Sequence, residues 1–556
     1  MSLAQDEITI NGQSLQLKGR MAINVQGLDL ANQGKINEPY SNTISVASSR
    51  RNEEILGHVS DPGKRLDDTA AYDERKANIY IGGMLMMKNA KVSQITTGEE
   101  IKLNVVGKGV DFWKKLANKN LTDCAFADQS FVWGTGTFPR SSPGDLVVFP
   151  HIETYLPFDY TDISPVKGSM NYYYKLMRNE QLCPFISKYQ TFQQIVEDAG
   201  YTFSWDYLRL NSDPGKRDSF KNSYITLRVP EGHPDFATSR AVYTQEWMPE
   251  MTQVDFIKGC LAQYGAYLVV QDNIVYMGIF DEIARKKGRS LDWSNKIDMS
   301  KTPNRTYDVG YAVENIWTYK NYEYKYRRIL QDLFDMNPGL NMASRYSDTN
   351  GGVFSDNKNL DATREVMEIP WQPAMDFIGD NDEGSPRQCV YLPCFDYNAN
   401  AFTDDYPTCD IVLPNDATTY KRVSTATESW SGGGTANGSI YAAWHHSQEI
   451  ETTVTNSGEE HGLGFGKLEE HFYNDDATRF IRQPLKIDAQ FFLRPTDIRE
   501  FMAVNTNSFL RFIETLTLGE NRIRSVYINE LNGHFHVQKI TSFTAGKPCQ
   551  VTLIRL

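Results

Sequence analysis

Cysteine is scarce in this chain of 556 residues. The seven present, Cys124, Cys183, Cys260, Cys389, Cys394, Cys409 and Cys549, are scattered and odd in number. Their spacing supports reduced thiols in a protein made in a cytosol rather than a disulfide framework. Long apolar runs are missing too. No stretch approaches the ~18 residues that span a bilayer, and mean hydropathy is −0.49. Residues 1–20 carry no basic-then-apolar signal pattern, with Asp6 and Glu7 standing where positive charge would be. Basic residues are in deficit, 57 against 70 acidic, for a net charge of −13. That argues against a dedicated nucleic-acid binder, which gains affinity when basic surface displaces counterions. A surface past which DNA slides without being held remains compatible with it.

Catalytic motifs are equally thin. His445-His446 with Glu449 resembles a metal pair, but adjacent histidines cannot face one ion from a helix as His at i and i+4 can. Cys389, Cys394 and Cys409 form no Cys-x-x-Cys. Gly462-Leu-Gly-Phe-Gly-Lys467 has the wrong glycine spacing for a phosphate loop, and Leu468 stands where Ser or Thr would bind Mg²⁺. Asp380-Asn-Asp-Glu-Gly384 lacks the sixth-position glycine and closing glutamate of a calcium loop. No Gly-x-Ser-x-Gly elbow occurs. The sequence therefore assigns no catalytic, cofactor-binding or metal-binding residue and implies no cofactor. Tyr322, Tyr324 and Tyr326 alternate with charged residues and would share one strand face. Such a stripe serves packing against a neighbour more often than glycan stacking.

What the chain does have is a cassette, written twice. The first copy runs from Thr191 to Trp205 and the second from Thr252 to Val270. Each opens on a threonine followed three residues later by Gln194 or Asp255, a capping-box pattern. Apolar residues follow at helical spacing: Phe192, Ile195, Val196 and Ala199, then Val254, Ile257, Leu261 and Tyr264. Each helix stops at a glycine, Gly200 or Gly265, and passes into an aromatic, β-branched strand. The cassettes read as construction units, with Cys260 on the buried side of the second.

Length calls for three or four domains, and the pattern is β-rich α+β. Residues 1–115 read as a barrel of short strands. Residues 116–245 read as a mixed domain holding the first cassette. Residues 246–375 hold the second cassette, a hairpin turning at Gln271-Asp-Asn273, and the start of a second barrel. The polar stretch 376–480, with Ser429-Trp-Ser-Gly-Gly-Gly434, reads as a small appended domain or a partner-contacting insertion. Residues 481–556 complete the second barrel. Asp497-Ile-Arg-Glu500 reads as a capping-box helix start, and Asn532-Gly533 as a type I′ hairpin turn. Val551 to Leu556 reads as a final strand that pairs with that hairpin and closes the second barrel.

Five segments, in order along the chain, resemble the tail-hub (baseplate-hub) proteins of phages and prophages of Bacteroidetes. They are Tyr40-Ser-Asn-Thr-Ile-Ser-Val46 with Arg51-Asn-Glu-Glu-Ile-Leu-Gly-His58, then Cys183-Pro-Phe-Ile-Ser-Lys-Tyr189 leading to Val196-Glu-Asp-Ala-Gly-Tyr201. Met248-Pro-Glu-Met-Thr-Gln-Val-Asp-Phe-Ile-Lys258, Asp292-Trp-Ser-Asn-Lys-Ile-Asp298, and the terminal pair Phe535–Ile540 and Val551–Leu556 complete the set. Cys183-Pro stands where Arg-Pro is more usual. The resemblance does not reach 376–480.

It implies two barrels of tail-tube type, a helix-bearing domain between them, and a homotrimer in the virion tail. The implied protein is structural and not an enzyme: it joins tube to tip and gates passage of DNA and the tape measure. Its implied partners are the tail-tube or distal-tail protein, the tape-measure protein, tail-tip or receptor-binding proteins, and transiently passing DNA. The alternative is a glycan-binding or cell-wall-degrading tip protein with its activity in 376–480.

Overall fold

The computed structural model describes residues 5–26, 40–60, 74–126, 185–205, 240–271, 273–279, 290–307, 312–319, 364–373, 482–502 and 525–556. Shorter pieces are described at 130–133, 145–148, 153–155, 174–176, 220–221, 223–227, 350–354, 356, 375–380, 386–391, 395–396, 401–402, 409–412 and 479–480.

Alternation of apolar and polar residues builds the largest sheet, because side chains on a strand point to opposite faces in turn. Strand β1 (Glu7–Ile10) buries Ile8 and Ile10. After β2 (Gln13–Ser14), β3 (Ile23–Gln26), β4 (Tyr40–Ser41), β5 (Ile44–Val46) and helix α1 (Arg50–Leu56), strand β6 (Lys76–Ile81) buries Ala77, Ile79 and Ile81. The long β7 (Met84–Thr96) leads to β8 (Ile101–Val106), which buries Ile101, Leu103 and Val105. Helices α2 (Lys108–Leu116), α3 (Lys188–Asp198) and α4 (Gln253–Gln263) come next. The chain then returns to the large sheet with β9 (Leu291–Asp292), β10 (Asn304–Thr306) and β11 (Lys486–Phe491). Helix α5 (Pro495–Met502) and strands β12 (Val526–Ile528), β13 (Gly533–Phe543) and β14 (Cys549–Arg555) finish it.

These 14 strands form one sheet, in the order β2-β1-β6-β7-β8-β4-β3-β13-β14-β11-β10, with β5 on β8, β12 on β13 and β9 on β12. The protein is mostly sheet with few helices, as expected. Among the described residues, however, the strands of the two chain ends share one sheet, whose path does not close into a barrel. Strand β3 pairs antiparallel with β13, Val25 opposite Ile540 and Gln26 opposite Lys539. One apolar core accordingly contains Ile8, Ile23 and Leu103 together with Val537, Val551 and Leu553.

Polar side chains stitch this seam. Asn24 Oδ1 accepts from the Ser542 amide at 2.9 Å, and Asn24 Nδ2 donates to Asn42 Oδ1. Asn42 Nδ2 donates to Ser542 Oγ at 3.0 Å. Arg20 Nη1 donates to the Ala545 carbonyl at 2.9 Å, and Thr544 Oγ1 to that of Met21 at 3.2 Å.

The final strand pairs with the hairpin strand as the sequence predicts, although the barrel it was expected to close is not seen among the described residues. Leu553 lies opposite Val537 on β13 and Ile487 on β11. Leu553 and Ile554 are both buried, a contribution of about 1.5–3 kcal/mol each. Its hairpin turn is different from the expected type I′. Asn529–Leu531 form one 3₁₀ turn, and Asn532 alone is left-handed (φ 46°), so the loop has four residues. A two-residue turn with positive φ at both positions sits instead at Asn11-Gly12 (φ 50° and 82°), joining β1 to β2. Helix α5 begins at Pro495, not Asp497. Asp497 lies in its first turn and reaches back to accept from the Arg494 amide at 2.8 Å.

The cassettes meet in a smaller sheet. Thr202–Trp205 from the first runs parallel to Ile274–Ile279, which is antiparallel to Ala266–Gln271 from the second. The hairpin turn between Gln271 and Ile274 is where the sequence predicts it. Beside this layer lies a five-stranded sheet of Val147–Val148, Phe185–Ser187, Ser223–Thr226, Cys409–Val412 and Gln372–Pro373. Asn350–Phe354, Glu314–Tyr319 and Arg364–Ile369 form another, with Arg364–Ile369 against α4.

Candidate functional site

Most of the reactive-looking sequence motifs lie outside the described residues: His445, His446, Glu449, Cys394, Gly462–Lys467, Ser429–Gly434 and the Tyr322, Tyr324, Tyr326 stripe. Cys389 and Cys409 fall in separate strands, Pro386–Tyr391 and Cys409–Val412, which belong to different sheets. Asp380 ends Met375–Asp380, and the four residues after it are not described. Among the described residues, no group of three His, Cys, Asp or Glu side chains could hold a metal ion. No helix among them is long and apolar enough to cross a membrane. Cys124, Cys260 and Cys549 are buried. Burial pushes Cys124 and Cys549 up to about 12, so neither is a thiolate near neutral pH.

The concentrated chemistry lies where the cassettes join. The first cassette's helix starts at Lys188, not after Thr191. Ser187 is the cap, its Oγ accepting from the Gln190 amide at 3.2 Å. Lys188 is fully buried. Its Nζ donates to Gln263 Oε1 of α4 at 2.9 Å and lies 4.5 Å from the centre of the Trp371 ring. A buried ammonium needs hydrogen-bond partners and gains from an aromatic face. Trp371 is itself fully buried, with Phe256 of α4 at 5.8 Å. Gly259 provides the room: a Cβ there would lie 2.5 Å from Pro370 Cδ and 2.8 Å from Trp371 Cη2.

At the other end of α3, Lys115 of α2 donates to the Ala199 carbonyl at 3.0 Å, and its Nζ lies 5.1 Å from the Tyr201 ring centre. Cations suit a helix C-terminus because its last carbonyls lack intrahelical partners. Asp111 holds the lysine at 3.2 Å, Lys91 of β7 at 3.3 Å and the Tyr201 hydroxyl at 3.3 Å. Burial works to raise the Asp111 carboxyl, but the hydrogen bonds and charges of Lys115 and Lys91 outweigh it and hold it below its ordinary value. This single carboxylate ties the large sheet, α2 and the first cassette together.

Two further polar knots were not visible in the sequence. Asn52 of α1 is fully buried. Its Oδ1 accepts from the Gln16 amide at 2.9 Å, and its Nδ2 donates to the carbonyls of Gln16 at 3.0 Å and Ala47 at 2.8 Å. Ser290 Oγ lies 2.5 Å from Ser525 Oγ and 2.8 Å from His534 Nδ1. The Ser290 cluster sits where β9 pairs with β12, Leu291 N donating to the Ser525 carbonyl at 2.9 Å. These arrangements hold strands and helices in place.

No family model matches the chain, and no curated protein does. Several solved structures align along its length with low similarity. A tail protein of prophage MuSo2 from Shewanella oneidensis has 9% identity and a TM-score of 0.34, covering 99% of this chain and 98% of its own. A tail protein from Neisseria meningitidis has 7% identity and a TM-score of 0.35, covering 99% and 97%. A prophage tail protein from Listeria monocytogenes has 6% identity and a TM-score of 0.32, covering 99% and 94%. Likeness at this level establishes neither a shared fold nor a shared role.

Proposed function

We propose that this chain is a structural protein of a phage tail: the hub at the distal end of the tail tube, joining tube to tip. On this reading it assembles as a homotrimer in the virion and contacts the tube or distal-tail protein and the tip proteins. It gates the tape measure and DNA and catalyses nothing.

One observation carries most weight beside the sequence resemblance. Several residues of the resembling segments are framework residues. Asn52 knots α1 to neighbouring backbone, and Thr252 caps α4. Fully buried Trp293 packs on Phe491 and Phe501, and Val551 and Leu553 sit on a strand paired on both sides inside the large sheet. Resemblance concentrated in such positions suits a protein whose work is to hold shape. The net charge of −13 suits a passage that does not retain DNA.

The test is localisation in the particle. Cryo-electron microscopy of tails carrying this chain should place three copies at the tube's distal end. A ring of six with no threefold hub would remove the hub reading. Sugar release from peptidoglycan or capsule by the purified chain, abolished by one acidic substitution in 376–480, would favour the degrading tip protein instead.

A further inference from the structure

Strand β3 stands where two distant parts of the chain meet in the large sheet. On one side its neighbour is β4, two residues long, with Ile23 opposite Ser41 and Asn24 opposite Tyr40. Strand β4 in turn meets β8 at Tyr40 opposite Val106. On the other side of β3 lies β13, eleven residues long, with Ile23 opposite Phe543 and Gln26 opposite Lys539. Ile23 and Val25 are buried. The strand that carries them is therefore held to its own part of the chain by a short ladder and to residues 539–543 by a longer one. Without β13, β3 would be an edge bearing isoleucine and valine, and such edges recruit other strands.

A second contact crosses the same divide at the β6–β7 turn. Gly82 is left-handed (φ 58°), and a Cβ there would lie 3.0 Å from Pro495 Cγ of α5 and 3.5 Å from Ala545 Cβ, just past β13. Arg20 and Thr544 bond across it as well. The apolar core follows this division. Among the described residues it draws on 8–105, 291–297 and 487–553, and on none of the buried residues of α3 or α4. A sheet with one apolar face must bury that face against another element, and here each part of the chain supplies the other's cover.

We infer that this seam is a completion lock: β1–β8 reach stable packing only when β11–β14 close on them, so the two sets of strands open and fold as one unit, separate from the cassette layer. The long intervening chain favours this order, because the entropy of closing so large a loop must be met before the seam's contacts form. A chain synthesised only through β8 accordingly holds an open core. That a tail takes up only chains with a closed seam rests on the function proposed above; the lock does not.

Hydrogen exchange on the full chain, read by mass spectrometry, tests it. Ile540→Ala, on the β13 side, should speed exchange at least roughly tenfold in peptides from β6 and β8 as well as in those from β13 and β14. Ile8→Val, on the far side, should speed both sets by one smaller, common factor. Phe192→Ala in α3 should leave both sets at wild-type rates. Ile540→Val stands in if Ile540→Ala does not fold. Pulse labelling during refolding reads the order: β6 and β8 should gain protection in the same phase as β13 and β14. Acceleration confined to the substituted side overturns the lock, as does earlier protection of β6 and β8. An equal response to Phe192→Ala overturns it too, since the whole chain would then be one unit. Incorporation into particles is a separate readout: a wild-type chain absent from tails defeats the tail reading and leaves the exchange result standing.

Discussion

Helices α3 and α4 follow one pattern, a threonine with an amide or acid three residues on, yet they begin differently. At α4 the threonine is the cap: Thr252 Oγ1 accepts from the Asp255 amide at 3.0 Å and donates to its carboxylate at 2.7 Å. At α3 the helix starts a turn earlier, and Thr191 is buried inside it. The cause lies upstream. Phe185–Ser187 is a strand, held extended between Val147–Val148 and Ser223–Thr226. The switch from extended to helical backbone therefore falls at Ser187, and that hydroxyl meets the free amide. Before α4 no such strand intervenes, and Thr252 itself is the last extended residue (φ −73°, ψ 150°). A capping motif thus caps only where the chain's extended segment ends.

The helices also meet their surroundings differently, and core truncation should show the largest effects. Phe192 of α3 packs on Phe203 at 4.8 Å and Phe220 at 5.9 Å, within its own side of the layer. Phe256 of α4 packs on Trp371. Either one changed to Ala should cost about 3–5 kcal/mol in denaturant unfolding. Only Phe256→Ala should be non-additive with Trp371→Ala, by about 0.5–3 kcal/mol, because contacting residues couple. Equal coupling for both phenylalanines would erase the distinction.

Next in size is the position seven residues after each threonine. In α4 it is Gly259, in α3 Asp198. Gly259→Ala must displace Pro370 and Trp371, an overpacking cost of about 1–3 kcal/mol, despite the better helix propensity of alanine. Asp198→Ala loses the acceptor for the Ala125 amide, 2.8 Å away on an exposed edge, for about 0.5–1.5 kcal/mol. Thermal melts of the two variants rank them directly; a stabilised Gly259→Ala protein would mean that the contact yields easily.

These cases show what a sequence makes legible. The second cassette, the glycine stops with positive φ at Gly200 and Gly265, and the pairing of the last strand with the hairpin follow from local rules. Period two identifies strands but does not name their partners, so the pairing of β3 with β13, more than 500 residues along the chain, had no signal. Lysine and asparagine normally face water, which hid Lys188 and Asn52, both fully buried. Asn11-Gly12 carried the same dipeptide as Asn532-Gly533. The difference is that β1 and β2 leave two residues for their turn, while β12 and β13 leave four. The polar clusters that join elements, at Asp111 and at Ser290, collect residues from distant segments and become visible only once the fold brings them together.

Acid should separate the two helix ends. The end of α3 depends on a carboxylate: Asp111 holds Lys115 against the Ala199 carbonyl. The end of α4 depends on the amide of Gln263. Because Asp111 is held below its ordinary value when folded, its contribution is complete above the unfolded carboxylate range near ~3.9 and is lost as pH falls through the lower, folded value. Amides at Gly200 and Tyr201 should therefore lose exchange protection in acid before those at Tyr264 and Gly265. Asp111→Asn should cost about 1.5 kcal/mol at neutral pH and abolish the difference in acid response. Simultaneous loss at both ends in the wild type would show that Asp111 does not set the order.

The smallest effect returns to the two threonines. Thr252→Ala removes a cap whose hydroxyl makes two hydrogen bonds, and should cost about 1 kcal/mol. Thr191→Val replaces a buried hydroxyl whose Oγ1 has no hydrogen-bond partner among the described residues with a methyl of nearly the same shape. Burying an unsatisfied hydroxyl is unfavourable, and valine is no worse than threonine in a helix. That substitution should leave stability unchanged or raise it by a few tenths of a kcal/mol, while Ser187→Ala, at the true cap, should cost about as much as Thr252→Ala. Matched unfolding curves for the three variants decide the issue. If Thr191→Val costs as much as Thr252→Ala, the hydroxyl inside α3 has a partner of its own and the two threonines are equivalent after all.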